Sequence, residues 1–433
     1  MNAAIVYVTY DGAVNSTCGV GVLSQYFIKA MPSVATHIQN KLKVKVSFHV
    51  IAVNLKPSAH GYSKIIKGIT SNITSSLNGK LHFVGNGTSG HENYGNIKNW
   101  EIASKNAASA IELIAKDYDN TYAFLVDTPF LNLPKYMDHD TRNVKYVLLP
   151  HSDVYSHFPE NIPPARLEWE KESFSAVNKI SNVYLASTSQ YLADTISVHH
   201  KIKKDKIIKL QTGLLLSDDK FNLSEESEIA HKLSIQKIPL DKPIIFSVAR
   251  AVPYKGFENL IDIFRLLLND NINAHLVFIA APFKNLPSNV ETLKNKINKL
   301  NLHEHCTAIY NLDMELPRYM YQWKNTKIVA QLSSREPFGL VPEEVRLLAR
   351  AKGPIVVTGN RGGFLEQIDN GQDGFLLNPS DHTKAKEVFK HIINMTEDDY
   401  NSIKRRGYKR CISNYDYTKT IIACTESLAG LKW

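Results

Sequence analysis

The sequence predicts an α/β protein built from two Rossmann-like domains that face each other across a cleft. Short apolar runs alternate with longer amphipathic stretches along nearly the whole chain. The alternation weakens once, near the middle, and then resumes as a second series. Such alternation implies βαβ units and parallel sheets, and 433 residues suit two or three domains.

The first apolar run, Ile5-Val6-Tyr7-Val8, follows no basic segment and is soon broken by Asp11-Gly12. It is expected to be a buried strand, not a secretory signal. Strand-like runs follow at 44–53, 122–126, 144–149 and 183–186, with helical patterns between them, as at 22–31 and 102–114. Polar stretches at 217–220 and 224–227, then Pro239 and Pro243, mark a junction. The expected organisation is a first domain over 1–215, a linker over 216–242 and a second domain over 243–410. The second series has strands at 244–248, 275–280, 307–310, 328–331 and 355–358. A helical pattern follows Tyr415-Asp416-Tyr417-Thr418 in the last segment, 411–433. Ligands of open α/β sheets bind beyond the carboxyl ends of the strands, so the chemistry is sought there.

Apolar residues make up 43% and charged residues 21%, the balance of a folded protein with a sizeable core and not of a disordered chain. Lysine plus arginine exceed aspartate plus glutamate by 51 − 42 = 9, which favours anionic partners without choosing among phosphate, acidic lipid and nucleic acid. The four cysteines, Cys18, Cys306, Cys411 and Cys424, form no CxxC pair and fit free thiols in a reducing, cytoplasmic setting. No apolar run reaches the ~18 residues of a membrane helix, which leaves peripheral membrane contact open. The basic run His199-His200-Lys201-Ile202-Lys203-Lys204-Asp205-Lys206 reads as a solvated loop or as a contact for an acidic membrane surface. Lys41, Lys43 and Lys45 form a second small cluster. Neither cluster is interleaved with aromatics, which disfavours single-strand nucleic-acid binding. No His/Cys/Asp/Glu set has metal-ligand spacing, so no metal is expected. Neither a nucleophile elbow nor a P-loop is present.

The most informative segment is Ser333-Ser334-Arg335-Glu336-Pro337-Phe338-Gly339-Leu340-Val341-Pro342-Glu343-Glu344. It follows a strand and opens a helix, with Glu336 and Glu344 eight residues apart. Pro337 and Gly339 allow a tight turn whose amides face an anion. A carboxylate there suits sugar hydroxyls, and equally suits a helix dipole. A second segment, Ala249-Arg250-Ala251-Val252-Pro253-Tyr254-Lys255-Gly256, puts Arg250 and Lys255 at a strand's carboxyl end. A guanidinium fork and an ammonium point charge are a common pairing for a diphosphate, although two solvated cations would look the same. Asp127, at the end of the 122–126 run, is a candidate acceptor contact.

Taken together, these segments resemble the retaining glycosyltransferases of family four, the glycosyl transferases group 1, which have the GT-B fold. The resemblance rests on Arg250 and Lys255-Gly256, on the two glutamates around Pro337-Phe338-Gly339, and on Arg361-Gly362-Gly363-Phe364-Leu365-Glu366. It is specific over 244–379 and looser elsewhere. It implies a last helix that crosses back to the N-terminal domain. It implies that Arg250 and Lys255 bind the diphosphate of a nucleotide-sugar donor and that Glu336 holds hydroxyls of the transferred sugar. Phe338, Gly339 and Leu340 would offer amides to sugar and phosphate, and Glu344 would hold the ribose. His151, at the end of Tyr146-Val147-Leu148-Leu149-Pro150, would enter the sugar pocket. Ser16-Thr17-Cys18-Gly19-Val20-Gly21-Val22 resembles the family's glycine-rich donor loop, with Gly19 and Gly21 kept and Cys18 in place of another glycine. After the strand at 275–280 the family often has a Gly-x-Gly turn, where this chain has Ala280-Ala281-Pro282-Phe283. The donor base, UDP, GDP or another, is therefore left open.

The function expected is metal-independent transfer of a sugar from a nucleotide diphosphate to an acceptor hydroxyl, with retention. The acceptor could be a saccharide, a lipid-linked precursor, a small metabolite, a protein or modified DNA. A phosphorylase or disaccharide synthase on the same fold is the nearest alternative. A non-catalytic nucleotide- or anion-binding protein is the other, and it leaves the full set of Arg250, Lys255, Glu336 and Glu344 unexplained. A dinucleotide oxidoreductase fits less well, because the first turn has no G-x-G-x-x-G.

Overall fold

The structure is a computed structural model that describes residues 2–137, 143–157, 162–282, 288–311, 313–350 and 352–430. The chain forms two compact units. One comprises Met1–Leu215 with Asp416–Trp433, the other Leu216–Tyr415.

The first unit is built on seven strands: β1 (Asn2–Thr9), β2 (Lys45–Val53), β3 (Leu81–Val84), β4 (Asn120–Val126), β5 (Val144–Leu149), β6 (Val183–Ser187) and β7 (Ile207–Lys209). They lie in the order β3-β2-β1-β4-β5-β6-β7, every pairing parallel. The central strands β4 and β5 are buried along their whole length, which is why they read as continuous apolar runs and not as alternating ones. β3 is a half-exposed edge strand of four residues, too short and too mixed for its pattern to stand out in the sequence.

The second unit repeats the plan with β8 (Ile244–Arg250), β9 (His275–Ala281), β10 (Cys306–Ile309), β11 (Thr326–Gln331), β12 (Ile355–Gly359) and β13 (Phe375–Leu377). Their order is β10-β9-β8-β11-β12-β13, again parallel throughout. Its core packs Phe257, Phe264 and Phe389 from the helices against Leu276, Phe278 and Ile328 of the sheet. In each sheet the strand order reverses beside the first strand of the unit, between β1 and β4 and between β8 and β11. Those switch points are where open α/β sheets place ligands.

The segment 216–242 departs from a linker. It belongs to the second unit and carries the helix Glu226–Ile235. Ile229 and Leu233, one helical turn apart, are buried. Glu226 is held by Lys324 and by Lys352, 2.9 Å away, and the two lysines pull its carboxyl down to about 2. The basic run also departs from a loop. The helix Gln190–His200 includes both of its histidines, and Lys206 Nζ donates to the carbonyls of Ile180 and Ser181 at 2.9 and 2.7 Å. Of the other cluster, Lys41 pairs with Glu426 at 2.7 Å and Lys43 closes the helix Gly19–Leu42 in a left-handed conformation.

The helix Glu397–Asn414 stays on the second unit, where Tyr400 Oη donates to the carbonyls of Lys327 and Gly353. The following helix, Tyr417–Gly430, returns to the first unit and packs on Gly19–Leu42. The Tyr417 amide donates to Leu214 O at 2.9 Å, and Lys145 Nζ donates to Leu428 O at 2.7 Å. Leu431 and the two residues after it lie outside the described residues. Among the described residues no helix is long and apolar enough to cross a membrane.

Tyr417 is 1% exposed and its ring lies 6.4 Å from that of Phe27. We expect Tyr417→Ala to cost about 3–5 kcal/mol, the range for emptying a buried aromatic site. Urea denaturation measures this. Leu365, 55% exposed on the second unit, is the control, expected to change stability by less than about 0.5 kcal/mol as Leu365→Ala.

Candidate functional site

In the second unit, the carboxyl ends of the neighbouring strands β8 and β11 bring two loops together. Arg250 is the last residue of β8. The chain then turns through Pro253–Lys255 into Gly256, whose φ is +77°. A Cβ on Gly256 would lie 2.2 Å from Leu332 O, so only glycine lets this turn settle against the end of β11. The Ser334 amide donates to Tyr254 O at 2.8 Å and locks the two loops.

That packing puts Lys255 Nζ 2.6 Å from Glu336 Oε2, with the two side chains only 13% and 14% exposed. Arg250 Nη2 donates to Tyr254 Oη at 2.8 Å, and the Arg335 guanidinium lies over the Tyr254 ring at 5.0 Å. Three cations, Arg250, Lys255 and Arg335, thus gather around one tyrosine and one carboxylate. Cations gathered in this way suit an anion.

The loop after β12 closes the other side of Glu336. The Gly363 amide donates to Glu336 O at 2.8 Å, and a Cβ on Gly362 would stand 2.2 Å from that same oxygen. Gly339 has φ +85°, and a Cβ there would meet Glu336 Cγ at 2.9 Å. Phe338 is buried against Tyr415 with ring centres 5.7 Å apart, and its carbonyl accepts from Gln367 Nε2 at 2.6 Å. Leu340 is the N-cap of the helix Val341–Leu348. In its first turn Glu343 points inward to Arg346 at 2.9 Å, whereas Glu344 reaches Lys220 Nζ at 2.9 Å. Lys220 lies in the stretch read as a linker, and no spacing in the sequence could have joined it to Glu344.

In the first unit the candidate residues follow β1, β4 and β5. Asp11 is 2% exposed, and burial pushes its carboxyl up against the bonds that favour the charged form. It accepts from Thr17 Oγ1 at 2.7 Å and from Cys18 Sγ at 3.4 Å. Cys18 is the N-cap of Gly19–Leu42, and burial together with Asp11 pushes its thiol up to about 12. A Cβ on Gly21 would stand 2.7 Å from the Asp11 carboxylate, so Asp11 alone explains Gly21. Gly19, at the helix start, has open space around its Cα.

Asp127 directly follows β4 in a left-handed conformation, φ +60°, a cost that side chains other than glycine seldom bear. Its Oδ2 accepts from Tyr94 Oη, while Oδ1 is buried with no hydrogen-bond partner. His151 follows β5, and its Nε2 is likewise buried without a partner. Burial lowers the His151 pKa, and the Asp127 charge opposes that shift. The sequence did not single out Tyr94 or Asp11. Tyr94 lies in a loop without periodicity, and Asp11 reads only as the break that ends a strand. Pro282 follows β9, and Phe283 lies outside the described residues.

Comparison with known proteins agrees with this architecture. Residues 229–410 match the model of the family described as glycosyl transferases group 1. The alpha-1,3/1,6-mannosyltransferase alg-2 of Neurospora crassa is 23% identical over 212 residues, 48% of this chain and 41% of that protein. The trehalose synthase of Thermococcus litoralis is 26% identical over 194 residues, 44% and 46% of the two chains. The chain thus aligns with under half the length of these two relatives. Among solved structures, Anabaena Alr3699/HepE in complex with UDP-glucose superposes with a TM-score of 0.68 at 17% identity, covering 99% of this chain and 100% of that one. The sucrose-phosphate synthase of Thermosynechococcus elongatus gives 0.70 at 16% identity, with 98% of each chain covered. Residues 229–410 are thus similar to the glycosyl transferases group 1 family, and the two-sheet architecture is the GT-B fold.

Proposed function

We propose that the protein is a retaining glycosyltransferase that moves a sugar from a nucleotide-diphosphate donor to an acceptor hydroxyl. The observation that carries this reading is the cluster of Arg250, Lys255, Arg335 and Glu336 at the β8 and β11 ends. The anomeric carbon–oxygen bond to the diphosphate breaks and leaves negative charge on the departing phosphate. Arg250 and Lys255 are fixed in advance where that charge develops, which is how preorganised donors lower a barrier. Their charges fill the part a divalent ion would otherwise play, so the transfer step as proposed uses no metal. The acceptor oxygen bonds to the anomeric carbon on the face the phosphate leaves, and its proton passes to a departing phosphate oxygen.

Glu336 has two tasks in this reading. It holds Lys255 in place and offers its other oxygen to sugar hydroxyls. Phe338, Gly339 and Leu340 present amides at the helix start, where an anion is favoured. Glu344, steadied by Lys220, would take the two ribose hydroxyls. In the first unit, Asp127 is assigned to the acceptor and His151 to the sugar, because each keeps a buried polar atom unpartnered. UDP is the first base to test, since HepE was solved with UDP-glucose. A saccharide acceptor is favoured by the mannosyltransferase relative. The trehalose synthase relative supports a disaccharide synthase as the second reading, and a free sugar as acceptor separates the two. Four free cysteines support a cytoplasmic setting.

Release of nucleoside diphosphate from UDP-glucose or GDP-mannose, with a panel of sugars, measures the reaction, and proton NMR of the product reads the anomeric configuration. Retention is expected, and inversion would sink the same-face mechanism. Lys255→Ala and Glu336→Ala should each lower kcat by about 10²-fold or more while circular dichroism stays native, the scale of a lost transition-state donor. Wild-type turnover in either folded variant would remove that residue's role. Lys220→Ala should raise KM for the donor with kcat nearly unchanged, because it steadies a binding group and not a reacting one. An unchanged KM would show that Glu344 needs no such support.

A further inference from the structure

Behind the end of β5 the first unit gathers three side chains of metal-ligand type that the transfer reading does not use. Asp153 is fully buried and caps the short helix Val154–His157. Its Oδ1 accepts from the Ser156 amide at 2.8 Å, and its Oδ2 has no hydrogen-bond partner. Glu170, also fully buried, comes from the helix Pro164–Lys179. Its Oε1 accepts from Arg166 Nε at 2.7 Å and its Oε2 from the Val154 amide at 2.8 Å. His200 ends the helix Gln190–His200, and its Nε2 is buried without a partner. One donor atom from each of the three lies within 4.8 Å of the others.

We infer that Asp153, Glu170 and His200 form a structural site for one divalent cation of borderline softness, with Zn²⁺ as the best fit. Two buried atoms with no partner, Asp153 Oδ2 and His200 Nε2, belong to the same small cluster, although no hydrogen bond joins them. Donors bound to one zinc at about 2.0–2.2 Å stand roughly 3.3–3.6 Å apart, so three donors already within 4.8 Å of one another need close only slightly around an ion. Two buried carboxylates beside the Arg166 guanidinium are costly to keep ionised, and a cation among them would offset that cost. One imidazole and two carboxylates suit zinc better than magnesium or calcium, which prefer all-oxygen shells.

The glutamate is already partly engaged, and metal ligands often are. Arg166 also donates to Thr128 Oγ1 and Ser152 Oγ, so it is placed to orient Glu170 beside the ion. The ion would fasten three segments: the turn two residues beyond His151, the middle of one helix and the end of another. No spacing in the sequence marks the site, because the three ligands come from separate elements. The role is structural and independent of the sugar transfer.

The test uses the full chain, stripped with a chelator, exposed to Zn²⁺ alone, desalted and analysed by elemental mass spectrometry. Wild type should retain about one zinc per chain and melt at a higher temperature than the stripped protein. Asp153→Asn and His200→Gln should each bind zinc at least about 10-fold more weakly and lose the thermal gain. Wild type that retains no zinc overturns the site, and so do variants that keep the full equivalent, since other histidines would then hold it. If either variant fails to fold, Co²⁺ added to stripped wild type decides: a visible spectrum of a four- or five-coordinate nitrogen–oxygen site supports the proposal, and its absence overturns it.

Discussion

Lys255 and Glu336 come within 2.6 Å of each other because a backbone without a Cβ lets two loops touch. Gly256 fits against Leu332 O, Gly362 fits against Glu336 O, and the Ser334 amide fastens one loop to the other. The ion pair is therefore a product of parallel-strand geometry. β8 and β11 are neighbours at the switch point of their sheet, and their loops leave in the same direction. Arg250, Tyr254 and Arg335 then assemble around that pair. If the glycine contacts were lost, the charges would remain in the sequence and the site would not.

The two units use their switch points differently. In the second, the cations are partly accessible and the carboxylate is shared, which suits a ligand that carries negative charge. In the first, Asp11 is closed off by Thr17, Cys18 and the bare Cα of Gly21. Asp127 Oδ1 and His151 Nε2 there keep unspent bonding capacity. The second unit thus offers preorganised positive charge, and the first offers buried polar atoms suited to hydroxyls.

The sequence made the buried central strands plain, since β1, β4, β5, β8 and β9 are continuous apolar runs. It missed β3 and β13, which are short and only partly buried, so burial wrote no clear pattern into them. The helix Glu226–Ile235 was hidden by its polar surface, with Ile229 and Leu233 as the only buried marks. At the candidate site, residues that share one segment could be read together, as Glu336, Gly339 and Glu344 could. Lys220 with Glu344, Tyr94 with Asp127, and Asp153 with Glu170 and His200 are joined only by the fold. Contacts of that kind leave no spacing to read in a single sequence.

The central claim is that Arg250 and Lys255 exist to hold a diphosphate. Calorimetric titration of UDP, GDP and ADP into the full chain without added metal tests it most directly. One of the three should bind wild type, and bind Lys255→Ala at least about 10-fold more weakly, the ~1.4 kcal/mol or more expected of one charge-assisted contact. Equal binding by the folded variant, or no binding of any diphosphate to wild type, would contradict it.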